Sequence, residues 1–204
     1  GNEYEGPTDL KYKQISTGEI QLTWNAPVLE KIAGWGSQDR YQQFGLGGDP
    51  FYFAQKWDTK DLQPVHKKTI RKVNFYPQEG VTYGVYIKQG NREYEESFTQ
   101  LKSGKINSVT LKTPFVIDAK LDLLVAIHVI SYANNTYPAC SDEGPAVDGK
   151  GNLYSLDGKK WETFSDDELD ANVVLSIVIS AEEGELPSSS VFSTSTFSEK
   201  PQPM

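Results

Sequence analysis

The stretch VTYGVYIK, residues 81–88, alternates Val81, Tyr83, Val85 and Ile87 with Thr82, Gly84, Tyr86 and Lys88. Side chains that recur every second residue share one face of a strand, so this segment buries one face and presents the other. The same signal repeats on either side of it, at 69–76, 92–100, 108–112 and 121–131, each run bounded by Pro, Gly, Asn or Asp. Short strands at this regular spacing predict a sandwich or barrel. Leu123 to Ile130 is apolar at both parities, which predicts a central strand covered on two sides.

Toward the N-terminus, EIQLTWN (19–25) sets Ile20, Leu22 and Trp24 against polar neighbours and ends at Pro27, whose missing N–H stops a ladder. Residues 1–18 read as a polar lead-in. AGWGSQD (33–39) is a turn-rich loop, and two short strands at 40–45 and 51–56 flank LGGDP as a hairpin. DTKDLQP (58–64) is the one helix candidate, with Asp58 as N-cap, Asp61 three residues on and Pro64 limiting it to about two turns.

Toward the C-terminus, NNTYPACSDEGPAVDGKGNLYSLDGKKW (134–161) is a long loop that feeds a hairpin, because Asp157-Gly158 suits a type I′ turn. ANVVLSIVIS (171–180) is a last buried strand. The domain expected from these signals spans 19–180, followed at 181–204 by a Ser/Thr/Pro-rich tail whose anchors are Val191, Phe192 and Phe197.

The chain has 204 residues and a formal net charge of −8, with its Lys67-Lys68 and Lys159-Lys160 pairs isolated, so nucleic acid and anionic membranes are poor partners. No apolar run approaches the roughly 18–20 residues that cross a bilayer, which argues against membrane insertion. A chain that starts Gly1-Asn2-Glu3 reads as trimmed, with its export signal removed. Cys140 is the single cysteine, so no intrachain disulfide framework and no cysteine metal site forms.

The motifs LTWNAP, FGLGG, W-D-x-x-D-L, VNFYP, TYGVYI, TYPA, DEGPAVDGKGNL and SLDGxxW together resemble the adhesin modules of secreted and surface proteins from Bacteroidetes-type bacteria. Those modules are similar to the jelly-roll domains attached to gingipain-like proteases. The resemblance spans about residues 20–179 and implies an all-β fold, a two-sheet β-sandwich of jelly-roll type with about ten to twelve strands and one short helix. It also implies an extracellular or outer-membrane surface location and a role in adhesion without catalysis. SLDGKKW resembles the Asp-box, in which Ser155, Asp157 and Trp161 would stabilise a turn.

Recognition of a glycan or a host or matrix protein would use exposed aromatics beside polar groups. Trp35, Trp57, Tyr132 and Tyr137 lie in or next to loops, with Asn134 and Asn135 beside them, although such rings more often pin their loops. No cofactor is expected beyond a structural calcium, whose oxygen ligands would be Asp142, Glu143, Asp148 and Asn152; acids in such loops more commonly make turns.

An enzyme would need His128 to meet Cys140, or a carboxylate pair drawn from Glu95-Glu96, Asp142-Glu143 or Asp166-Asp167-Glu168. A third reading is a spacer or assembly subunit that self-associates by adding its tail as a strand to a neighbour.

Overall fold

The structure, a computed structural model, describes residues 29–187 with their side chains and, ahead of them, the backbone of three strands. These are β1 (Asn2–Tyr4), β2 (Thr8–Ser16) and β3 (Glu19–Asn25); β2 and β3 form a two-stranded sheet of their own. The expected strand at 19–25 is therefore present, and the stretch read as a lead-in carries two more. The expected buried face of β3 and the tail anchors Val191, Phe192 and Phe197 lie outside the described residues.

β4 (Leu29–Ala33) runs between Pro27 and Gly34, too short for its alternation to register in the sequence. β5 (Gln42–Phe44) and β6 (Phe51–Trp57) follow. They are not the expected hairpin, since β5 pairs with β12 (Ala139–Ser141) instead. Phe44 is the reason: its ring meets Phe164 at 4.9 Å and Phe51 and Phe53 at 6.1 and 6.4 Å. Core packing of the side chain takes the place of a ladder between β5 and β6.

Helix α1 (Thr59–Leu62) forms where the sequence places it, closed by reciprocal 3.0 Å bonds between the Asp58 and Asp61 backbone N–H groups and each other's carboxylates. Pro64 then tightens the chain into a 3₁₀ turn at Gln63–Val65. Leu62 and Val65 are buried and close one end of the core.

The remaining strands are β7 (Lys68–Phe75), β8 (Thr82–Gln89), β9 (Arg92–Phe98), β10 (Asn107–Val116) and β11 (Leu123–Ser131), then β12, β13 (Leu153–Ser155), β14 (Glu162–Thr163) and β15 (Leu175–Glu183). From Leu29 onward there are twelve strands, which together with β1 make three sheets, ordered β1-β4-β15-β7-β10, β14-β13-β6-β11-β8-β9 and β12-β5. The fold is all-β with one short helix. β11 lies between β6 and β8 as its two-sided apolarity predicts.

Inward positions of both large sheets meet in one core. Phe53, Val85 and Ile127 come from the six-stranded sheet, Val73, Leu175 and Ile177 from the five-stranded one, all at 1% exposure or less. Burying one such side chain stabilises by about 1.5–3 kcal/mol. At the rim, β10 approaches β9 through Lys112 N–H on Glu96 (2.8 Å) and Thr113 N–H on the Tyr94 hydroxyl (3.3 Å).

β15 begins four residues later than the apolar run that announced it. Residues 171–174 are buried but held by loops: the Asn172 N–H donates to Asp142 Oδ1 at 2.8 Å and the Val173 N–H to the Gly151 carbonyl at 2.8 Å. Asp142 is 2% exposed and accepts two more backbone N–H bonds, from Ser37 and Gly144 at 2.9 Å, plus the Asn172 amide at 3.1 Å. Asp142→Asn turns an acceptor into an N–H group that faces these donors. We expect it to cost about 3 kcal/mol in urea unfolding with an unchanged m-value.

Candidate functional site

The aromatic residues singled out in the sequence are mostly engaged inside the protein. Trp35 donates its backbone N–H to Gln55 Oε1 (2.7 Å) and its indole N–H to the Lys56 carbonyl (2.8 Å). One ring stacks on Trp57 at 6.4 Å, and the Lys150 ammonium lies 4.9 Å from the Trp35 centroid. Trp57 itself is core, 6% exposed. These two rings anchor the 34–37 loop to β6, with Trp35 part-exposed and both rings in the wall of a groove of about 310 Å³. Tyr132 meets Phe51 edge-on and accepts the Leu46 N–H at 2.8 Å, which ties the 132–138 loop to the one before β6. Asn134, Asn135 and Tyr137 are exposed on that loop.

The oxygen ligands expected for calcium do not converge. Asp142 is saturated by the N–H donors above, and Glu143 is exposed. Asp148 Oδ1 accepts from the Asn152 amide (3.0 Å) and the Ser165 hydroxyl (2.8 Å), while Asn152 Oδ1 accepts the Gly149 N–H at 2.9 Å. Among the described residues no group of three or more His, Cys, Asp or Glu side chains is arranged to hold a metal ion.

His128 and Cys140 do not meet. Ile127 and Val129 face the core, so His128 takes the outer face of β11, where its Nδ1 sits 2.9 Å from Glu95 and its ring stacks on Tyr52 at 4.0 Å. Cys140 is buried beside Gln78, and loss of solvent pushes its thiol up to about 11, against smaller opposing effects of Arg40 and Gln78. Glu95 pairs across to Tyr86 and Glu96 to Val85, which sends the two acids to opposite faces.

The outer face of the six-stranded sheet carries the feature that the sequence did not announce. Cross-strand register aligns Lys56, Leu124, Lys88 and Glu93 in one row, and Ala54, Ala126, Tyr86 and Glu95 in the next. Ala54, Ala126, Tyr86 and Leu153 form a second apolar cluster, packed with Tyr52, Leu124 and Trp161.

The turn between β13 and β14 closes this face on one side. It is not the type I′ hairpin expected, because the chain leaves β13 at Ser155 and re-enters β14 only at Glu162. Asp157 Oδ1 accepts the N–H groups of Lys159 (2.8 Å) and Lys160 (2.9 Å), while Ser155 Oγ accepts that of Gly158 (2.9 Å). Gly158 has φ +74°, and a Cβ there would lie 2.9 Å from Tyr52 Cζ, so the turn rests on that ring as only glycine permits. Trp161 meets Tyr52 edge-on at 6.0 Å.

Between this turn and the β6–β11–β8 row lies a cleft of about 470 Å³ with Lys56, Lys88, Asp122, Leu124, Lys159 and Trp161 in its walls. Its size falls in the range of about 300–1,000 Å³ usual for ligand sites. Lys56 pairs with Asp122 at 3.4 Å and Lys88 with Glu93 at 3.5 Å, all of these side chains 41–56% exposed. Such solvated pairs are weak and leave the ammonium groups free to turn to a ligand. Glu93 also accepts the Tyr86 hydroxyl at 2.9 Å, and burial followed by that bond raises the phenol above its ordinary range.

The cleft holds cations, apolar floor and an indole, a combination suited to binding. The available signal was the period-two pattern of Tyr52, Ala54 and Lys56 beside Leu124 and Ala126, which leaves apolar side chains on a sheet's outer face.

Two measurements check this local chemistry. The Asp157 carboxyl is held below the usual carboxylate range, chiefly by the Lys160 N–H, then by Lys159 and Ser155. A depressed folded pKa adds stability above the unfolded value near ~3.9, and that stability disappears as pH falls through the folded pKa. The Tm advantage over Asp157→Asn should narrow below about pH 4; an advantage constant with pH would refute the role of the ionised carboxylate. Cys140 should resist iodoacetamide at pH 7.5 in the folded protein and react promptly in denaturant, as judged by mass spectrometry.

Among the described residues no helix is long and apolar enough to cross a membrane. The chain matches no known family model, no curated protein and no solved structure.

Proposed function

We propose that this chain is a non-catalytic recognition module of an exported bacterial surface protein, built as a two-sheet β-sandwich of jelly-roll type, and that it holds a glycan or a protein segment in the cleft beside Trp161. The sandwich reading is supported by the shared core of the two large sheets and by the β9–β10 contacts at their rim.

The observation that carries the binding role is the cleft: an apolar floor at Leu124, an indole at one wall and ammonium groups around the mouth. An aromatic ring next to polar groups is the usual stacking surface for the apolar face of a sugar or a side chain. A binding role is also favoured by the separation of the one thiol from both imidazoles and of Glu95 from Glu96.

A glycan and matrix-protein screen, followed by titration of the hits, tests this reading. Trp161→Ala should weaken binding by about tenfold or more, the effect of removing a central aromatic anchor. Trp35→Ala should lower Tm while the folded fraction binds as before, and a chelator should change neither. Absence of any ligand, or binding indifferent to Trp161→Ala, would overturn the assignment.

A further inference from the structure

We propose that the cleft selects an acidic polysaccharide carrying one carboxylate per disaccharide, with Lys56 and Lys88 each meeting one carboxylate and Lys159 closing on the chain from the turn. This rests on the recognition role assigned to the cleft and names its ligand class.

Lys56 and Lys88 share a register row on strands separated by β11, with Leu124 between them. Two interstrand spacings put their Cα atoms about 10 Å apart, close to the span of one disaccharide. A uronate polymer laid across the strands then presents a carboxylate at each lysine and a neutral ring above Leu124, within reach of Trp161. Lys159 makes no ion pair with a described residue, and its backbone is fixed by Asp157.

The charges distinguish this class from its competitors. The protein is −8 overall, yet the cleft lining carries three lysines against one acid, Asp122. A densely sulfated chain or a nucleic acid, with charge at every unit, would meet Asp122 beside Lys56 and Glu93 beyond Lys88, as well as the net repulsion of the molecule. A neutral glycan would leave the lysines with no use. The cleft walls carry lysine and no arginine, which suits carboxylates that arrive at a set spacing more than a bidentate phosphate clamp.

The test is titration with hyaluronan oligosaccharides, their carboxyl-reduced form and heparin, at two salt concentrations, on the wild type and on Lys56→Gln, Lys88→Gln, Lys159→Gln, the triple variant and Lys112→Gln. Lys112 is exposed on the five-stranded sheet and matches the charge change away from the cleft.

Each cleft variant should weaken hyaluronan binding roughly threefold, and the triple variant about thirtyfold, if the lysines act independently. Tm should not change, Lys112→Gln should bind like wild type, the carboxyl-reduced form should bind poorly, and added salt should weaken the interaction. Binding of the reduced form that needs Trp161 but ignores the lysines would overturn the acidic selectivity and leave glycan recognition standing. Heparin binding tighter than hyaluronan would replace carboxylate spacing by simple charge attraction and also overturn it. If none of the three glycans binds and no other ligand is found, the recognition role falls as well.

Discussion

The carboxylate of Asp142 is the interaction on which the loop end of this protein depends. A buried charge is costly unless its oxygens are fully hydrogen-bonded, and here each accepts two N–H groups, drawn from three separate stretches of chain. Asn172 extends the arrangement by donating to the Pro145 carbonyl and accepting the Val147 N–H. Gln55, fully buried on β6, completes it by bonding Trp35 and the Val173 carbonyl. The backbone comes so close that a Cβ at Gly36 or Gly151 would sit 2.2 Å from Asp142 or Asn172. Glycine at these two positions is a condition for the network.

That network reaches the cleft through one strand. The Lys150 carbonyl accepts the Lys56 N–H at 2.8 Å, and the Lys150 ammonium reaches Asp58 and Asp61 at the helix start. The 142–152 loop is thereby fixed to β6 from both sides, with Gly149 at the margin of the cleft. The opposite wall, the 156–161 turn, is fixed by Asp157 and by contact with Tyr52. Two separately braced segments thus border one cleft, and little ordering remains to be done when a ligand arrives.

Binding at such a place follows from how the sheet is used. Its inner face is consumed by the core, whereas its outer face keeps an apolar cluster of Tyr52, Tyr86, Leu124 and Trp161 that the 156–161 turn covers in part. Lys56 and Lys88 flank Leu124 on that face, and Glu93 and Glu95 follow on β9. Loops supply the walls, and the sheet supplies the floor and the spacing of the cations.

The strand pattern was legible because its physics is local. Alternation in VTYGVYIK, two-sided apolarity in Leu123 to Ile130 and the Asp58–Asp61 cap each depend on residues within a few positions; the strand, the central place of β11 and the cap are present as read, whereas β8 is buried on both faces from Tyr83 to Ile87 because Tyr86 joins the second apolar cluster. Whether Phe44 lies in a ladder with β6 or against its rings depends on residues far along the chain, and so does the anchoring of Trp35, whose N–H groups are taken by Gln55 and Lys56. Asp142 looked like a cation ligand until Ser37 and Asn172 were brought to it. The sequence alone determined the longer strands from residue 68 onward and the faces they turn to the core, because side-chain period is a property of neighbours. Only the tertiary structure decided which loop polar groups are already satisfied and that Lys56, Lys88, Lys159 and Trp161 share one cleft, because strand order and register choose the neighbours across space.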